Sequence, residues 1–309
     1  MDATTSTGVD GEATIDSATR LGHVELTVAE LDRDRFIPRR GLIRGWVDLY
    51  LTMFRIAILN NVQYRVANYF YMIGMIAEPV IYLVVWSTIA RQHGGAVNGI
   101  TAGQFAAYYI VWTLVRNMNI VFGAPFWEWR IREGRLAGDL LRPLNILHYD
   151  LAYFAGWKFV VVALWLPIAV ALSAVFHPDL HPSALQIAVF IVAIWGAYFV
   201  RSMFQATIGM LNFWTTRGAA VFDLYMATEM LLSGRLVPLK LMPGWVQTLA
   251  NFLPFKSTFG FPIESLVGNL SARSLLLGLG AQVMWIAIGY VLFRFAWRAA
   301  IKRFSAVGG

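Results

Sequence analysis

The chain has 309 residues, of which 58% are hydrophobic, 15% aromatic and only 14% charged, against about 25% charged in soluble domains. This argues against a soluble enzyme, and the absence of cysteine removes disulfide frameworks, thiolate metal sites, iron–sulfur clusters and thiol nucleophiles. The net charge of +7 hides an acidic start: residues 1–34 hold Asp2, Asp10, Glu12, Asp16, Glu25, Glu30, Asp32 and Asp34 against Arg20 and Arg33.

That start is rich in Thr, Ser, Gly and Ala and cannot bury enough apolar area to offset ordering, which predicts a disordered acidic tail over 1–41. It lacks the basic start and apolar run of a secretory signal. Next, Ile43, Trp46, Val47, Tyr50, Phe54, Ala57 and Ile58 recur at helical spacing, with Arg44, Asp48, Thr52 and Arg55 on the other face. The pattern predicts an amphipathic helix within 42–67 lying along the membrane surface, as an anchor, a docking element, or both.

Six segments then carry the roughly 20 apolar residues that cross a hydrocarbon core of about 30 Å: 68–90, 105–127, 151–176, 184–211, 219–236 and 275–297. The predicted fold class is therefore all-α, a polytopic membrane protein with a six-span domain over 68–300. The fifth segment is short and carries Asp223 and Glu229. Between the fifth and sixth, 237–273 holds two apolar stretches, 245–253 and 259–267, broken by Pro238, Pro243, Pro254 and Pro262. Each stretch is too short to cross, which predicts external re-entrant helices, with a folded external cap as the alternative. Residues 301–309 form a short cytoplasmic tail.

Six crossings put both termini on one side. Assigning them to the cytoplasm gives that side fourteen Lys and Arg residues and the other five, Arg91, Arg235, Lys240, Lys256 and Arg273; this imbalance predicts cytoplasmic termini. Because the bases flank apolar spans instead of gathering in a soluble domain, their expected counter-charge is anionic membrane lipid and not nucleic acid.

No phosphate loop, G-x-S-x-G or H-E-x-x-H motif is present, and no cofactor or metal site is expected. The five histidines are scattered; His177 and His181 frame a short turn that reads as solvated. Glu78, Arg116, Arg201, Asp223 and Glu229 fall inside predicted spans. At a cost of roughly 2.5–3.5 kcal/mol each on insertion scales, they should face protein or water. Arg201 is expected to pair with Glu229 or Asp223. Arg116 with Asn117 and Asn119 admits two readings, structural pairing or a path for a polar headgroup; with Glu229 these are the candidate substrate-pathway residues.

The loop after the second span, 131–144, has enough bases to serve only as an orientation signal. Taken alone that reading wins, but its mixed charge and its Leu residues at intervals of four and five raise the alternative of a short amphipathic helix able to lie in a groove of a soluble partner. Ile131, Arg132, Glu133, Leu136, Leu140 and Leu141 are the candidate coupling residues, with Leu136, Leu140 and Leu141 as one apolar ridge and Arg132, Glu133, Arg135 and Asp139 at its rim.

Two stretches carry a resemblance: IREGRLAGDLLRPLN over 131–145, and LLSGRLVPLKLMPGWVQTLANFLPFKSTFGFPIESLVG over 231–268. With the six spans, they resemble the permease subunits of ATP-binding-cassette exporters of the second type, over roughly 42–300, and within them a little-characterised branch whose permeases often come in two kinds. The resemblance implies two facing permeases, identical or homologous, each docking a soluble ATP-binding-cassette ATPase through the N-terminal amphipathic helix and the 131–144 loop, with ATP bound by that partner. It implies a pathway between the first, second and fifth spans. A lipid, glycolipid, peptide or hydrophobic drug remains open as substrate. The competing classes are a membrane-embedded enzyme using Glu78, Asp223 or Glu229 as acid or base on lipid-linked substrates, and a passive channel or scaffold.

Overall fold

The computed structural model describes residues 42–142, 145–215 and 217–304. The acidic tail (1–41), the side chain of Ile43, Pro143 and Leu144 of the coupling loop, and the tail from 305 onward lie outside the described residues. The chain divides after Asp48 into two units; of the first, only the opening turns of α1 (Leu42–Gln63) are described.

From Leu49 onward α1 lies against the helix formed by Ile146–Phe176. Tyr50 and Phe54 are half-buried and Ala57 is buried, and Phe54 meets Phe159 edge-on with ring centroids 4.7 Å apart. Gly156 permits this approach: a Cβ there would come within 2.8 Å of the Phe54 backbone oxygen and of Ala57 Cβ. The face expected to lie on lipid thus packs in part on protein, while Leu51, Leu59 and Val62 stay exposed. α1 ends at Gln63, and α2 (Arg65–Gln92) follows almost at once.

At 28 residues α2 is about 42 Å long at 1.5 Å per residue, enough to cross. The structure is all-α as expected; the connection after α2 holds only a minimal antiparallel hairpin of two-residue strands, β1 (Ala96–Val97) and β2 (Ile100–Thr101). Its two-residue turn is Asn98–Gly99, both at positive φ, the sequence that such tight hairpins demand. Thr101 then opens α3 (Ala102–Met118) through a capping box with Gln104.

The second predicted span is not one helix. α3 stops after 17 residues, α4 (Ala124–Arg132) begins beyond an irregular stretch with Pro125 in its first turn, and α5 (Arg135–Leu140) follows a left-handed corner at Gly134, φ +67°. Buried almost all round, α3 is wrapped by α2, α6 (Ile146–Phe176), α7 (Ala184–Gly209) and α10 (Gly260–Val267). A helix so enclosed can have irregular ends, because protein and not lipid meets its unpaired backbone.

Among the described residues three helices are long and apolar enough to cross a bilayer: α6, α7 with the 3-10 turn that continues it to Phe213, and α11 (Ala272–Ile301). α8 (Gly218–Leu232), where the fifth span was expected, has 15 residues and a length of about 22 Å. Between α8 and α11 the two apolar stretches are short helices, α9 (Gly244–Phe252) and α10. Phe259 and Ile263 bury in the same apolar cluster as the α3 side chains Phe105, Tyr109 and Trp112.

α7 and α11 pack against each other over most of their length. Gly289 sits where a Cβ would be 2.7 Å from Met203 Cβ, a small residue that lets helix backbones close up. Nearby, the buried Gln282 of α11 donates from Nε2 to the Ala193 carbonyl of α7 and to the Ser257 carbonyl of the turn preceding α10, both at 2.9 Å.

Candidate functional site

The broken end of α3 sets up the most polar part of the interior. A helix C-terminus leaves carbonyl groups without intrahelical partners, and they carry partial negative charge. Two buried cations take them here. Lys158, fully buried in the middle of α6, donates from Nζ to the carbonyl oxygens of Asn117, at 3.4 Å, and Ile120, with the rings of Trp157 and Tyr198 beside it at 4.8 and 5.3 Å. Arg201 of α7 donates from Nη1 to the Asn119 carbonyl.

The rest of the Arg201 guanidinium meets Glu229 of α8. Nε lies 3.0 and 3.1 Å from the two carboxylate oxygens and Nη2 lies 2.8 Å from Oε2. Glu229 is completely buried and lies 3.4 Å from Thr258 Oγ1, whose hydroxyl donates mainly to the Phe255 carbonyl at 2.7 Å, while Asn119 Nδ2 donates to the Thr258 carbonyl. One network therefore joins α3, α6, α7, α8 and the turn leading into α10.

Of the two partners expected for Arg201, Glu229 is the one found; Asp223 lies exposed on α8. The pathway candidates separate. Asn117, Asn119 and Glu229 are enclosed in the network. Arg116 stands outside it, 2.7 Å from Glu78 of α2 and above the Trp112 ring. Of the acids of the enzyme alternative, Glu78 pairs with Arg116, Glu229 with Arg201, and Asp223 is exposed. Lys158 escaped the sequence reading, although a lone ammonium within a long apolar run is the signal that marks it.

The second arrangement is built on α4 and α5. Arg130 is almost buried, and its Nη1 and Nη2 donate to the two Asp150 carboxylate oxygens at 2.8 Å each. Its Nε lies 3.2 Å from Asp139 of α5, and its guanidinium covers the Phe126 ring at 4.4 Å. This planar fork satisfies two carboxylates at once, geometry that Arg supplies and Lys does not. α5 is thereby tied to α4 and to the first turn of α6.

The expected ridge of three leucines divides. Leu136 is fully buried among Phe122, Trp127, Ile146 and Leu147, because the short α5 turns that side onto the core, whereas Leu140 and Leu141 are 37% and 88% exposed. Asp139, expected at the rim, is occupied internally by Arg130 and by Arg142 at 3.1 Å. Ile131 is half-buried against the core. Arg132 pairs with Glu128 on the surface of α4 at 2.8 Å, Glu133 is exposed at its end, and Arg135 lies over the exposed Trp129 ring at 4.6 Å. The outward face is thus Leu140, Leu141 and Trp129 with charges around them.

Comparison with curated proteins finds no match to this chain. A family model described as "ABC-2 family transporter protein" matches residues 76–308, an interval that contains both polar networks, the α4–α5 face and all three long apolar helices. Permeases of this kind leave ATP hydrolysis to a separate nucleotide-binding subunit. The chain therefore belongs to the ABC-2 transporter family, as a membrane permease.

Proposed function

We propose that this permease is an exporter half that docks its ATPase subunit on the outward face of α4 and α5, works beside a second permease, and crosses the membrane six times with both termini in the cytoplasm. In this reading α2, α3, α6, α7, α8 and α11 are the crossings. The short α3 and α8 are shielded by protein, and α9 and α10 form the re-entrant segment. The substrate pathway runs along α2, α3 and α8, with Arg116 on its wall and Asn117, Asn119 and Glu229 behind it. Its cargo is lipid-like, glycolipid, peptide or hydrophobic drug.

The observation that carries the reading is the combination at α4–α5: a short helix braced from within by Arg130, Asp139 and Asp150, with two leucines left exposed at its tip. A braced element transmits a push, and an exposed apolar tip rimmed by charge suits a groove on a soluble partner. Leu140→Asp puts a charge into that contact. We expect the variant to insert and assemble as wild type yet lose ATPase co-purification, or lose the link between ATP hydrolysis and transport in lipid. Wild-type behaviour in both measurements overturns the assignment and returns the loop to an orientation signal.

A further inference from the structure

The end of α3 opposite its break carries a second polar feature that the transport reading does not use. A pocket of about 240 Å³ opens between the Asn98–Gly99 turn, the first turns of α3, the segment after α8 and the C-terminal part of α10. It is bordered by the polar side chains of Asn98, Gln104, Tyr108, Lys240, Glu264 and Asn269. One wall is pinned by the Tyr108 hydroxyl, which donates to the Gly234 carbonyl at 2.7 Å.

Two opposite charges share this pocket without closing on each other. Among the described residues neither the Glu264 carboxylate nor the Lys240 ammonium has an ion pair or a side-chain hydrogen bond. Even so, Lys240, and Lys256 more strongly, act on Glu264 through space. Glu264 also borders a second pocket, of about 350 Å³, toward α11, with Lys256 on its wall. A half-buried carboxylate with pockets on two sides and bases beyond each is an electrostatic arrangement left open by the fold.

We propose that the 240 Å³ pocket binds a small zwitterion, its ammonium on Glu264 and its anionic oxygens on Lys240. Charge selects this class. A simple anion meets the like charge of Glu264, a simple cation meets Lys240 and Lys256, and a neutral polyol leaves both charges unpaired; only a ligand carrying both signs satisfies both walls. Size agrees, because the volume lies below the roughly 300–1,000 Å³ of drug-sized sites and suits a headgroup or an amino acid. A phospholipid headgroup and a free amino acid share this chemistry, and the inference stands independently of ATPase docking.

The test uses the full chain in a maltoside detergent, which brings no zwitterion of its own. Thermal unfolding is followed while glycerophosphoethanolamine or alanine is titrated over the millimolar range; the first stands for the lipid source and the second for the free amino acid. At least one should raise the unfolding midpoint saturably. Glu264→Gln and Lys240→Gln should each weaken half-saturation by about tenfold or more, the loss of about 1.4 kcal/mol, and glycerol 3-phosphate alone should act as weakly on wild type. Lys240 is exposed, so its variant gives a reading even where Glu264→Gln fails to fold. No shift with either zwitterion, a shift that survives Lys240→Gln, or an equal shift with glycerol 3-phosphate overturns the proposal.

Discussion

Two buried arginines organise this permease, and they do so in opposite ways. Arg201 is closed in on every side: its guanidinium is divided between a carbonyl at the end of α3 and the Glu229 carboxylate of α8, and the nearby Lys158 takes the remaining carbonyls. Arg130 binds two carboxylates as well, but the unit it braces ends in Leu140 and Leu141, which the described residues leave 37% and 88% exposed. The contrast separates a junction, where charge replaces missing helix bonds and holds elements together, from a platform, where charge stiffens a base so that its apolar tip can be offered elsewhere.

The contrast is sharpest under substitution. Removing one partner of a buried pair leaves the other charge uncompensated, a loss of about 3–5 kcal/mol, so Arg201→Met should give the largest fall in thermal unfolding midpoint. The double variant Arg201→Met/Glu229→Leu should recover part of that fall; a double variant no better than the single would show that the Asn119 carbonyl, and not Glu229, is the main partner.

Leu136 and Leu141 differ next. Leu136→Ala opens a cavity in a packed cluster, a loss of about 2–5 kcal/mol, whereas Leu141→Ala, at 88% exposed, should leave the midpoint unchanged and weaken only ATPase co-purification. Equal destabilisation by the two would restore the single ridge. At the bottom of the scale stands Arg132→Ala. It breaks an exposed intrahelical pair with Glu128 worth about 0.3–0.5 kcal/mol, and both unfolding and partner binding should stay within error of wild type.

The three long apolar helices were legible because a bilayer imposes length and apolarity together, so α6, α7 and α11 fall close to the runs that predict them, and α2, long enough though not among those three, does so too. α3 was not. Its stop is written locally, in Asn117, Asn119, Gly123 and Pro125, but inside an apolar stretch those residues look like polar insertions in a span, and the cations that cap the break come from residues tens of positions away. The pairing of Arg130 with Asp150, 20 residues on, leaves no periodic trace either. Glu229 was foreseen as an Arg201 partner because depth in a membrane leaves a charge few choices. Helix faces were harder: α5 is too short for its leucine spacing to decide which side turns inward, and tertiary packing decided it.

Gln282 has one further effect. A side-chain amide has two hydrogens, and this one spends its donation on carbonyls of two different elements, Ala193 on α7 and Ser257 ahead of α10, in a place where Gly196 leaves no Cβ to push it away. Sliding α11 along α7 pulls on both bonds together, because both donated hydrogens sit on one nitrogen. Three pieces of chain therefore share one degree of freedom: whatever displaces α11 at one end of the molecule carries the turn before α10 with it, as a rod carries the crank it is pinned to.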